Sequence, residues 1–223
     1  VDEVGMGDYK PTEEGSAYPT TDMQAGYSSV AEHVEWKNRM EITQTMFEDN
    51  KTSAIKKKAG LFSKSYHRSR EKFRAQMLGG GKGDSISLNS MTFSTKACDG
   101  LSLFNVAHKS KISESLTQSN RFTDTFTDDG LGYISEKMQN FVDDKGDVVG
   151  VSPDTIIIGN YHALKKQVFA VIGADKDPGS GNNGFNYQFG LWRVIVSPLL
   201  NAYLTKDEFI LMDSKYNEDA SGA

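Results

Sequence analysis

Cysteine is almost missing. Cys98 stands alone in 223 residues, so no disulfide can form within the chain and no cysteine-rich metal site can be assembled. No apolar run approaches the roughly 18 residues that a membrane span needs. The four histidines (His33, His67, His108 and His162) show no i, i+4 pair and no carboxylate-flanked ligand spacing, so each is expected to be structural. At Val1 there is neither a charged n-region nor an apolar h-region, and the start reads as a processing site or a trimmed end. Apolar residues make up only 37% of the chain and mean hydropathy is −0.51, a modest core for one large domain or two small ones. Twenty-one glycines predict many turns or long loops. The sequence pI near 5.4 argues against a dedicated nucleic-acid-binding protein but leaves room for one basic surface.

That surface is present between Asn50 and Leu78. Ile55, Ala59, Phe62, Tyr66, Phe73 and Met77, with Ser69 in the gap, recur so that all fall in one narrow sector at 100° per residue. One long helix is predicted, with Thr52 or Ser53 capping its start and Gly79-Gly80-Gly81 stopping it. Its other face is cationic. Lys51, Lys56, Lys57, Lys58, Lys64, Arg68, Arg70, Lys72 and Arg74 face a single acid, Glu71, giving +8 in a chain of net charge −5, so the rest carries −13. A solvated face would explain an ordinary charged helix; a cationic spine on an acidic protein points to phosphate.

The remainder reads as follows. Residues 1–26 are polar, rich in Gly, Pro and Thr and without period: an arm with little structure of its own, whose Tyr9 and Tyr18 suggest that it lies on another surface. Residues 30–47 alternate in part and predict a hairpin that turns at Lys37-Asn38-Arg39, too polar to stand alone. After the spine, residues 79–83 read as a flexible break and residues 91–104 as irregular. Helices are predicted over 128–143 and 161–172, and strands over 155–158, 191–196 (both buried) and 209–212, with a long Gly, Asp and Asn loop over 173–186. The class is α+β.

Catalytic motifs fail on inspection. Gly79-Gly80-Gly81-Lys82-Gly83 follows a helix instead of opening one and has Gly83 where a phosphate loop needs Ser or Thr. Cys98 and His108 lack any elbow or oxyanion motif, so a small buried or incidental thiol is expected. Asp143, Asp144 and Asp147 lack the spacing and the distal Glu of a calcium loop and read as a helix-terminating turn. No enzyme, cofactor or metal is expected.

Several segments fall in a familiar order: Asp99-Gly100, Leu103-Phe104-Asn105-Val106-Ala107-His108, Ser119-Asn120, Met138-Gln139-Asn140-Phe141, Asp144-Lys145-Gly146, Pro153-Asp154-Thr155-Ile156-Ile157-Ile158, and Trp192 through Leu200. This train, with Glu32 through Trp36 and Phe47 through Asn50 ahead of the long helix, resembles the major capsid proteins of tailed bacteriophages of the Hong Kong 97 type, especially the Mu-like prophage branch, over residues 27–204.

The resemblance implies a Hong Kong 97-type fold with five parts: an N-arm (1–26), an extended β-hairpin loop (27–49), a peripheral domain (50–124) with the spine helix 50–78, an axial domain (125–200) of helices around a small sheet, and a return strand of the peripheral domain with a tail (201–223). It implies a structural subunit that self-assembles through pentamers and hexamers into an icosahedral shell, a virion capsid put together in the bacterial host cytoplasm around double-stranded DNA. Portal and scaffold proteins would be further partners, and no membrane would be involved. Lys56, Lys57, Lys64, Arg68, Arg70, Lys72 and Arg74 would face DNA, and Tyr9, Tyr18, Val34, Trp36, Lys37 and Arg39 would touch neighbouring subunits. An encapsulin-like compartment of the same fold is the alternative, which a strongly basic inner face disfavours; a cytosolic nucleic-acid-binding protein is the distant one. The chain is shorter than most such subunits, and Lys37 has no marked Asn partner or catalytic carboxylate, so intersubunit crosslinking is not implied.

Overall fold

The computed structural model describes residues 11–12, 17, 20, 26–30, 32–49, 51–113, 115–173, 175 and 184–215. Tyr9, Tyr18 and most of the loop expected over 173–186 lie outside them.

The first element is a short helix, α1 (Gln44–Glu48), preceded by extended chain. The hairpin expected over 30–47 does not form: among the described residues, 32–43 carry no strand. With no glycine at Lys37-Asn38-Arg39, nothing closes a tight turn there, and Glu35–Lys37 and Arg39–Glu41 pair along the segment at 2.7 Å each instead of across a ladder. The spine helix α2 runs from Thr52 to Gly79, roughly 42 Å. It starts behind Lys51, whose side chain makes no capping bond, so Thr52 and Ser53 lie inside its first turn instead of at the cap.

The glycine run after α2 is packed, not loose. A Cβ on Gly79 would sit 2.5 Å from Tyr203 Cβ, and one on Gly80 would sit 2.5 Å from Ile86 Cγ2. Those glycines let the chain turn tightly into a hairpin, β1 (Ser85–Leu88) and β2 (Met91–Ser94), the second strand lying where irregular chain was expected from residue 91. Its two-residue turn, Asn89-Ser90, has both residues at positive φ (50° and 66°), the conformation of a type I′ turn with Ser in the place usually held by Gly. Gln76 Nε2 donates to Ser87 O at 2.6 Å and fixes the hairpin on the helix end. A second, two-residue ladder joins β3 (His108–Lys109) to β4 (Thr117–Gln118).

Helix α3 (Asp128–Gln139) is capped by Thr127, whose Oγ1 accepts from Gly130 N at 3.0 Å, with Asp128 and Asp129 in its first turn. It ends four residues before the predicted stop, because Val142 leaves to pair with Val148 and its N–H donates to Gln118 Oε1. The Asp143–Gly146 stretch is therefore the turn between those two valines. Asp143 Oδ1 is used in it, accepting from Lys145 N and Asp147 N at 2.8 and 3.0 Å.

The sheet is mixed. β5 (Thr155–Gly159) lies in the middle, parallel to β6 (Arg193–Ser197) and antiparallel to β7 (Phe209–Met212), with α4 (His162–Ile172) crossing between β5 and β6. Every residue of β5 is buried. Ile156 and Ile158 face Phe126, Leu131, Leu164 and Val168, whereas Ile157 faces Ala75 of α2 with Leu200 and Leu204. Two covered faces explain an unbroken β-branched run. β6 begins two residues later than expected and is only half-buried, as an edge strand should be. β7, read as a return strand of a peripheral unit, joins this central sheet, and α2 docks its C-terminal end on the same sheet. The fold is mixed α+β.

Candidate assembly and nucleic-acid interface

The interface candidate is built on α2. Only Ala75, Gln76 and Gly79 of its 28 residues are buried, all at the C-terminal end where the helix meets the sheet and the 3-10 turn Pro198–Ala202. From Thr52 to Lys72, about 30 Å of helix, every residue is exposed or half-buried. The helix overhangs its own domain.

The apolar sector divides accordingly. At the inner end, Phe73 is clasped by Trp36, which stacks on Phe93 (centroids 5.8 Å, planes 8° apart) and meets Phe73 edge-on at 5.6 Å. On the overhang, Phe62 and Tyr66 remain exposed, Tyr66 by 58%, and so does Phe47 of α1 by 76%. The segment from Trp36 to α1 runs back along the helix as a strap: Trp36 sits at Phe73, and Met46 Sδ meets Lys58 Nζ at 3.5 Å. Upstream it is anchored by Lys111, whose Nζ donates to Gly26 O at 2.6 Å and lies over the Tyr27 ring.

All seven cations assigned to DNA are exposed. Arg74 pairs with Glu71 at 2.8 Å and Arg70 lies over Tyr66 at 5.5 Å. Among the described residues, Lys56, Lys57, Lys64, Arg68 and Lys72 make no ion pair. The cations do not form a single face. At 100° per residue, Lys57, Lys64 and Arg68 lie roughly opposite the apolar sector, whereas Lys58 and Arg70 flank it at about 60° on either side. Of the expected subunit contacts, Val34 is half-buried, Trp36 is engaged within the chain, and Lys37 and Arg39 are tied in local, exposed pairs.

Other candidates are occupied by structural work. Lys82 Nζ lies 2.8 Å from both oxygens of Glu208, which closes the phosphate-loop question. That bond and the Thr205 N–H bond hold the Glu208 carboxyl below its usual range although burial pushes it up. His108 Nδ1 meets Asp99 Oδ2 at 2.6 Å, while Cys98 is exposed rather than buried. Among the described residues no group of three or more His, Cys, Asp or Glu is placed to hold a metal, and no helix is long and apolar enough to cross a membrane.

The sequence reading missed a second apolar surface. Phe185, Tyr187, Phe189 and Leu191 line the turn entering β6 and are all exposed, Phe185 by 76% and Leu191 by 60%. Asn186 between them is buried and fixes the turn, its side chain donating to Val171 O at 2.6 Å and accepting from Gln188 N. The signal was an aromatic at every second position of a segment read only for its Gly and Asn. The Tyr187 hydroxyl lies against Gly132 of α3. Its pKa is raised, first by burial and then by the carboxylates of Asp128 and Asp129. A cavity of about 550 Å³ lies between β7, α3 and the extended chain at 120–125.

No known family, curated protein or solved structure matches this chain.

Proposed function

We propose that this protein is a structural shell subunit of the Hong Kong 97 type, which self-assembles into an icosahedral head around double-stranded DNA and performs no catalysis. The observation that carries the reading is the overhang of α2. About 30 Å of helix has no buried residue, exposes Phe62 and Tyr66, and carries Lys56, Lys57, Lys64, Arg68 and Lys72, which make no ion pair among the described residues; apolar surface of this kind marks a site of association. A helix this poorly buried would gain stability by packing its apolar face against a neighbouring subunit. The cations opposite the aromatics suit phosphate bound without sequence readout, and the resemblance in segment order supplies the kind of assembly.

Size is the test. Light scattering and negative-stain microscopy of the purified chain, with and without DNA, are expected to show shells or five-fold and six-fold rings; a monomer under every condition rejects the proposal. In shells that do form, replacing Lys56, Lys57, Arg68 and Arg74 with Gln is expected to lower retained DNA and reduce the salt slope of binding by about 3–4, while empty shells still assemble. Loss of assembly instead would make these cations an interface between subunits.

A further inference from the structure

The two uncovered aromatic surfaces differ in charge. The first carries Phe62 and Tyr66 on α2, flanked there by Lys58 and Arg70, with Phe47 exposed on α1, the neighbouring helix that meets Lys58 through Met46. The second carries Phe185, Tyr187 and Leu191, and the Tyr187 hydroxyl lies against Gly132 of α3, one turn from Asp128 and Asp129 in the first turn of that helix. The elements that carry them pack on opposite faces of the sheet, α2 at Ile157 and α3 and α4 at Ile156 and Ile158. One is on the overhang beyond the end of α2 that meets the sheet, the other over α3 and the C-terminal end of α4. A surface that is aromatic with a basic rim complements one that is aromatic with an acidic rim, and within one chain the sheet stands between the elements that carry them.

We infer that the α2 overhang of one copy docks on the Phe185–Leu191 turn of a second copy, head to tail. The contact is heterologous, and such contacts close into rings when the rotation permits and otherwise give open chains. Buried aromatics would supply affinity and the opposed charges would set orientation and rate. Duplex DNA suits the apolar sector poorly, since phosphate rewards only the cations; Lys57, Lys64 and Arg68 on the far side stay free for it. Closure into rings rests on the shell reading, whereas the pairwise contact does not.

The test is complementation between two crippled variants. Phe62→Ser/Tyr66→Ser removes the first surface and Phe185→Ser/Leu191→Ser the second; all four side chains are exposed, so circular dichroism should match the parent. In sedimentation velocity, each variant alone is expected to stay monomeric where the parent associates, and an equimolar mixture is expected to form dimers and nothing larger. A mixture that stays monomeric overturns the contact, as does either variant associating like the parent. A variant that changes only DNA retention does so too, by assigning its surface to DNA. Charge reversal gives a second route should a serine variant unfold. Arg70→Glu and Asp129→Arg should each weaken association at least tenfold, and together restore most of it; no restoration overturns the pairing. If the parent forms open chains and never closed shells, the shell reading fails while the contact stands.

Discussion

Between its ties at Lys111 and Lys58 the strap over α2 rests on Trp36, whose removal has a calculable effect. Full burial makes a Trp→Ala change worth about 3–5 kcal/mol. Trp36 keeps 46% of its surface in water, which halves that to about 2 kcal/mol, including its stack on Phe93 and its edge contact with Phe73. The other charged groups of the strap, Glu35–Lys37 and Arg39–Glu41, pair with each other and not with the body, so they do not hold it down. Trp36→Ala should therefore raise the open population of residues 32–43 roughly 30-fold, at 1.4 kcal/mol per factor of ten. Limited trypsin digestion reads this directly, because Lys37 and Arg39 lie one and three residues beyond Trp36. In the regime where opening is fast compared with cleavage, the cut rate should rise by the same factor. The thermal midpoint of the sheet should move little, since Ile156, Ile158 and Leu164 touch none of these rings. An unchanged cut rate would mean that the strap is held elsewhere. A large fall in the midpoint would mean that the clasp belongs to the global core.

Two further changes probe the spine and the sheet. Gly60→Ala, with nothing within 4 Å of the added carbon, should stabilise the chain by about 0.5–1 kcal/mol. Gly79→Ala, whose carbon would meet Tyr203 Cβ at 2.5 Å, should destabilise it by about 1–3 kcal/mol; denaturant midpoints decide both, and equal effects would refute the packed turn. The Asp154 carboxyl accepts from the Ser214 hydroxyl, the Thr155 hydroxyl and Ser214 N, and these bonds hold its pKa below the usual carboxylate range. A depressed folded value means a stabilisation that is complete above the unfolded pKa near 4 and lost as pH falls through the folded value. The gap in thermal midpoint between the parent and Asp154→Asn should thus be constant near neutrality and shrink below about pH 4; a gap independent of pH would refute the assignment.

Periodicity alone determined the elements whose burial is decided by near neighbours. The sector from Ile55 to Met77 fixes a helix wherever that helix points, because one face recurs every 3.6 residues. The run Thr155–Ile158 fixes a strand covered on both sides, and Asp128-Asp129 marks where α3 begins. Composition likewise fixed the +8 charge of the spine against the −13 of the rest. Other features depend on which distant segments meet, and no local pattern encodes that. Residues 32–43 alternate well enough for a strand but find no ladder, since an extended segment takes its partner from the fold; here Trp36 found two phenylalanines instead. The Gly79–Gly81 turn is tight because Tyr203, some 120 residues away, fills the space beside it. The stop of α3 was decided by Val148 and Gln118, which together hold Val142 out of the helix. Which end of the spine is covered also came from tertiary structure alone: the sheet is only wide enough to bury the last turns of a helix roughly 42 Å long, and the remainder projects with its aromatics bare.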